Sequence, residues 1–149
     1  ALAHESYYDL HRDKYGPVLS SLIEVGRNLS GVDHARIQIE RDKFVGSLNR
    51  VFEDVDTIIV PSQPYPTPTN AFMDTLGAEE RSAEKLRSFT APHDMAGTPA
   101  MCLPDGFDAN EIPFGFQIVG PKLSEEKLLQ AGHAYQQDTD WHQRIPRIS

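Results

Sequence analysis

FTAPHDMAGTPAMCLPDGF, Phe89 to Phe107, is the stretch on which the reading of this chain turns. Three prolines (Pro92, Pro99, Pro104), two glycines (Gly97, Gly106) and the only cysteine, Cys102, surround a short apolar run from Ala100 to Leu103. Each proline removes a backbone donor and restricts φ, and each glycine opens backbone conformations closed to other residues. Such punctuation marks turns around the apolar run, which itself reads as a strand. His93 and Asp94 stand side by side within the turn. The stretch is either an active site or the wall of one, and its surroundings decide which.

Downstream, residues 114–119 (FGFQIV) form a second apolar run, and the Gly/Asp/Asn-rich connection predicts that the two runs are neighbouring strands. Upstream, DTIIVP (56–61) is β-branched, bounded by polar residues and does not alternate, so it predicts a fully buried strand. Residues 62–69 carry three prolines (Pro64, Pro66, Pro68) and predict an extended surface segment. Residues 78–89 are polar and helix-favouring and predict one exposed helix.

Helices are expected on both sides of these strands. Residues 1–15 read as an aromatic-rich helix ended by Gly16-Pro17. Val18, Leu22, Val25 and Leu29 follow at helical spacing as the apolar face of a second helix. Ser30 with Asp33 predicts an N-cap for a helix reaching about Asp54, with Phe44, Leu48, Val51, Phe52 and Val55 as its apolar stripe. Arg36, Glu40, Arg41 and Lys43 face water in that reading. Ser124-Glu125-Glu126 predicts a hydroxyl cap and acidic first turn for a last helix to about Asp138. From Trp141 onward the chain reads as a tail whose indole packs back on the domain.

At 149 residues and 39% hydrophobic composition the chain is long enough to bury a core. A net charge of −8, with no run of basic residues, excludes a nucleic-acid surface. No apolar stretch approaches a membrane span, and the start of the chain lacks a signal-peptide layout. A lone cysteine fits a reducing, cytoplasmic setting, and an opening Ala1 suggests processing or a fragment. Buried-type strands need cover on both faces, and three such runs make a poor sheet of their own. They read as part of a larger sheet.

No side-chain constellation forms a convincing catalytic set. His4 and His11 lie seven positions apart, not at the i, i+4 spacing of a helical metal pair, and read as a solvated face; no metal site is expected. His93, Asp94 and Cys102 would make a thiol hydrolase, yet a mid-strand thiol is more simply a small buried hydrophobe. Ser62 follows a strand, but no G-x-S-x-G elbow surrounds it, and its prolines argue for a turn. Gly97, Gly106, Gly115 and Gly120 lack the spacing of a phosphate cradle.

Four segments, in order, carry a resemblance. Phe52-Glu53-Asp54-Val55-Asp56 leading into Ile58-Ile59-Val60-Pro61 resembles the D-x-hydrophobic-hydrophobic-x-P-T strand of the amidase signature enzymes. Phe89-Thr90-Ala91-Pro92 and Met95 to Ala100 resemble their F-T-x-P-x-N-hydrophobic-x-G-x-P-A segment. Ile112 to Gly120 (IPFGFQIVG) resembles L-P-x-G-x-Q-hydrophobic-hydrophobic-G. Lys127 to Tyr135, with Trp141-His142, resembles the closing helix and tail.

The resemblance covers only the family's C-terminal portion, either of a general amidase or of the A subunit of an aspartyl/glutamyl-tRNA amidotransferase. It implies an α/β fold, part of an α/β/α sandwich around a mixed sheet, with residues 1–149 as one C-terminal segment: helical over 1–55, strand and pocket wall over 56–149. It implies hydrolysis of a carbon–nitrogen bond in a carboxamide through a serine acyl-enzyme, with no cofactor. The Lys-Ser-Ser triad belongs to a Gly/Ser-rich region that these residues lack, so no catalytic residue is carried over and the chain alone is expected to be inactive. Residues 89–107 then become a wall of an active site whose chemistry lies elsewhere. Asp94, Met95 and Thr98 are its expected pocket residues. Asp94 stands where the family has Asn, and an ionised carboxylate accepts but does not donate. The expected partners are the N-terminal catalytic portion or a second copy, recruited by an open strand edge, and a small amide substrate. Neither nucleic acid nor membrane is expected. The rival reading is a stand-alone, non-catalytic binding domain without the triad half.

Overall fold

A computed structural model describes residues 1–75 and 85–145. The chain divides into two compact units, Ala1–Lys43 and Phe44–Ser149.

In the first unit, residues 1–15 do not form the single helix expected. Short 3-10 turns at Leu2–His4 and Arg12–Lys14 are joined by further turns. The reason is tertiary: folding back buries Tyr8, 1% exposed, edge-on against Tyr15 at 5.0 Å. The guanidiniums of Arg12 and Arg27 lie over the Tyr8 ring at 5.3 and 5.5 Å. Arg12 also pairs with Glu24, and Arg27 holds Asp9 through two bonds of 2.7 Å. Helix α1 (Pro17–Arg27) starts with Pro17 in its first turn, where the missing N–H costs nothing. Its buried residue is Ile23; Val18, Leu22 and Val25, the face expected inside, are exposed.

Helix α2 (Gly31–Asp54) begins and ends as its sequence implied. The Asp33 backbone N–H donates to Ser30 Oγ at 3.0 Å, and that hydroxyl donates to the Asp33 carboxylate at 2.6 Å. The expected stripe is present, yet none of α2's residues is buried.

The second unit is built on three strands, β1 (Ile58–Pro61), β2 (Ala100–Phe107) and β3 (Pro113–Val119), in the order β1-β3-β2 and antiparallel throughout. The fold class is α/β, and the two later runs are neighbours as expected. β1 is not fully buried: it alternates, with Ile59 69% exposed, because one face of this edge strand is uncovered. β2 runs past Leu103 through Pro104 to Phe107, which an edge strand tolerates. A bulge at Pro104/Gly106, with Gly106 at φ 139°, absorbs the irregularity. At Gly115 a side chain is excluded, since a Cβ would fall far inside contact distance of the Leu103 carbonyl oxygen.

Register places Met101 opposite Ile118 and Leu103 opposite Phe116 on one face. Helix α5 (Glu125–Asp138; α3, Asn70–Thr75, and α4, Ala91–Ala96, precede it) covers that face with Leu128 and Tyr135. Phe116 meets Tyr135 edge-on at 5.2 Å, and the Tyr135 hydroxyl donates to Asp105 Oδ1 at 2.7 Å. The Ser124 hydroxyl does not cap α5 as expected; it donates to the Pro121 carbonyl at 2.6 Å, tightening the turn instead. Glu125 and Glu126 do occupy the first turn. Trp141 packs its ring back on Phe107, as expected, with centroids 6.2 Å apart and the Arg144 guanidinium over the indole at 4.3 Å. Of the helix expected over 78–89, residues 78–84 lie outside the described residues; Lys85 and Leu86 are helical and 87–90 form turns. No described helix is long and apolar enough to cross a membrane.

Candidate functional site

The stretch from residue 87 to β2 folds as three short pieces. Turns at 87–90 lead into α4, six residues with Pro92 in the first turn. The helix stops at Gly97, whose φ of 66° lies in the left-handed region that glycine adopts without strain. The His93 carbonyl then accepts from both Gly97 N–H (2.8 Å) and Thr98 N–H (3.2 Å), and β2 follows at Ala100. Helical periodicity sorts the side chains. His93 and Ala96, three apart, are buried; Asp94 and Met95 are exposed.

Gln117 of the central strand bonds to the start of this stretch. Gln117 is 3% exposed, and its Nε2 donates to the Phe89 carbonyl at 2.6 Å and the Pro61 carbonyl at 3.1 Å. The proline-rich segment is tied to the same strand, by Ser62 Oγ donating to Gly115 O (2.8 Å) and Thr67 Oγ1 donating to Pro113 O (2.9 Å). Ser62 therefore has a structural hydrogen bond in a bend, in keeping with the turn reading.

An open groove of about 530 Å³ lies beside α4, lined by Phe44, Arg87, Ser88, Ala91, Pro92 and Met95. Its lining is mostly apolar, with a guanidinium and a hydroxyl among the lining groups. Of the three expected pocket residues, Met95 lines this groove. Asp94 is exposed in the first turn of α4, and Thr98 is half-buried on the way to β2. The three share one short stretch but present different surfaces. The Thr98 hydroxyl and His93 Nδ1 are buried without a hydrogen-bond partner among the described residues. Burial holds the His93 imidazole below its ordinary pKa, against a smaller opposing pull from Asp94.

Cys102 does not behave as the buried hydrophobe expected. It is exposed on β2, opposite Gln117 in register. Its side chain lies on the face opposite the one that α5 covers, and that face is open at this position of the edge strand. His4 is engaged with the Tyr15 hydroxyl at 3.0 Å. Among the described residues no group of three or more His, Cys, Asp or Glu is arranged to hold a metal.

Gln117 lies within one of the motif segments, yet sequence reasoning gives it no role. Its signal is there: an amide inside an otherwise apolar strand run must find partners or lose stability. His93 and Thr98 give no comparable signal, because burial of a short helix's inner face depends on what it lies against.

Residues 5–129 match the family profile described as Amidase, and the chain belongs to that family. It is 38% identical over 148 residues to the putative amidase AmiD of Mycobacterium tuberculosis, covering 99% of this chain and 31% of that protein. It is 40% identical over 121 residues to the A subunit of the glutamyl-tRNA(Gln) amidotransferase of Microcystis aeruginosa, covering 78% of this chain and 23% of that one. Among solved structures, one described as an amidase superposes with a TM-score of 0.75 at 25% identity, over 91% of this chain and 31% of the other. The chain thus spans about a third or less of the proteins it matches.

Proposed function

We propose that this chain is the C-terminal part of an amide-bond hydrolase and supplies sheet strands and one wall of its acyl site. The observation that carries the reading is the family match over residues 5–129, within which three of the four motif segments fall, on β1, α4, β2, β3 and the residues leading into them. The reaction is acyl transfer from a carboxamide to water: a serine attacks the carbonyl, ammonia or an amine leaves, and water releases the carboxylate. The serine, its bridging serine and its lysine come from the rest of the polypeptide.

The role of this chain is then geometric. Asp94, Met95 and Thr98 face or border the substrate, and the apolar groove beside Met95 accommodates the non-reacting part of the amide. The remaining polypeptide covers the apolar surfaces of residues 1–149 and extends the sheet from its free edges. The single thiol suits a cytoplasmic enzyme.

The test is ammonia release from simple carboxamides by the longer polypeptide and by residues 1–149 alone. Turnover by the first and none by the second is expected, with loss of turnover after treatment with a serine-directed fluorophosphonate. Turnover by residues 1–149 alone would overturn the placement of the triad. No turnover by either, with a carboxamide bound, would establish the non-catalytic binding reading in its place.

A further inference from the structure

We propose that Gln117 is a positioning residue: it fixes the leading end of the pocket wall to the central strand, and so sets substrate fit. The proposal rests on the hydrolase reading above and adds to it the device that holds the wall in register. Neither the family match nor the motif gives this glutamine a task.

The argument starts from what α4 lacks. Six residues are too few to be a stable helix on their own. Its N-cap, Thr90, makes no side-chain capping bond. The position of α4 is therefore set from outside. Two contacts to the strand β3 and its end do this. At the trailing end, the Gly120 backbone N–H donates to the Pro99 carbonyl at 3.1 Å. At the leading end, Gln117 Nε2 donates to Phe89 O at 2.6 Å. The same amide donates to Pro61 O at 3.1 Å, so one buried side chain joins β3, the end of β1 and the start of the wall. Both of its acceptors are carbonyl oxygens, which fixes the amide with its NH₂ towards them; only a donor serves.

The two ends differ in kind. The trailing contact is backbone to backbone and survives a change of side chain. The leading contact is lost with the amide. Gln117→Leu keeps roughly the volume and removes the donor from both carbonyls; Gln117→Glu sets a carboxylate oxygen against them. Met95, between the two pins, loses its fixed distance from the sheet in either variant.

The test uses the longer polypeptide with Gln117, Gln117→Leu and Gln117→Glu, and a series of amides of growing apolar size: acetamide, butyramide, hexanamide. The expected result is a rise in KM of about tenfold, largest for hexanamide, with kcat changed far less. Gln117→Glu should regain affinity as pH falls, since a protonated carboxyl donates again. Hydrogen–deuterium exchange is read in parallel: protection should fall in residues 89–97 and hold in 113–119. Unchanged KM and unchanged exchange would overturn the proposal. So would a uniform loss of kcat with exchange raised across all three strands, which is the mark of a merely structural residue. If Gln117→Leu does not fold, Gln117→Glu at low and high pH decides alone. Wild-type protein without turnover would sink the hydrolase reading, while exchange would still decide whether Gln117 holds the wall.

Discussion

Two apolar surfaces of the second unit invite comparison: the face of the sheet under α5, and the stripe along the end of α2. Leu103, Ile118 and Leu128 keep 5% or less of their surface, whereas Phe44, Val51 and Val55 keep 37%, 45% and 43%. The side chains are of the same kind. What differs is the second layer: α5 covers the sheet face closely, whereas no residue of α2 is fully buried and Phe44 borders an open groove. Burial is a property of a pair of surfaces, so apolar patterning alone predicts where a layer is wanted and not where it is found.

The largest expected effect tests the covered face. Gly115→Val would force a side chain into the Leu103 carbonyl, with no flexible neighbour to give way. β2 and β3 cannot both keep their register, and a loss of about 3 kcal/mol or more is expected, seen as loss of a cooperative thermal transition. Gly46→Ala is the control. It sits in α2 with open space around it and should gain up to about 1 kcal/mol. A stable, sharply melting Gly115→Val would mean the strand pairing is wrong.

The next sharpens the comparison itself. Leu128→Ala should cost about 2–5 kcal/mol in urea unfolding. Val51→Ala, on the exposed stripe, should stay within about 0.5 kcal/mol in residues 1–149. Its cost should rise in the longer polypeptide, where the stripe gains a covering layer under the proposed function. Equal costs of Val51→Ala in both would show that the stripe faces water in the longer polypeptide too. A smaller loss, about 1–2 kcal/mol, is expected for Tyr135→Phe, which deletes the donor to Asp105 and keeps the ring against Phe116.

The same contrast explains what the sequence could convey. The pairing of β2 with β3 is legible because two apolar runs with a short polar connection have few other ways to hide. The span of α2 is legible because Ser30 and Asp33 make their cap locally. Residues 1–15 mislead because Tyr8 is buried by Tyr15, Arg12 and Arg27, which local propensity does not count. Cys102 misleads because a run such as Ala100–Leu103 looks alike in a strand with both faces covered and in one with a face open. In the site, the motif names Met95 as a pocket residue, and the structure shows it on the lining of an open groove. Gln117 cannot be given its role, because its acceptors lie 56 and 28 residues away in sequence.

The smallest expected effect concerns His93, and its sign follows from burial. Desolvation lowers the imidazole pKa in the folded chain, so the unfolded chain binds the proton more readily. The stability tied to neutral His93 is then fully present above the unfolded pKa of about 6.5 and is lost as pH falls through the lower, folded value. His93→Leu removes both the titration and the unpartnered Nδ1. Thermal midpoints of the two proteins, taken every half unit from pH 8 to 5, should therefore differ in slope, the wild type falling faster as the solution is acidified. Parallel curves would mean that His93 meets water or a polar partner in solution, and that the inner face of α4 is less well covered than the sheet face under α5.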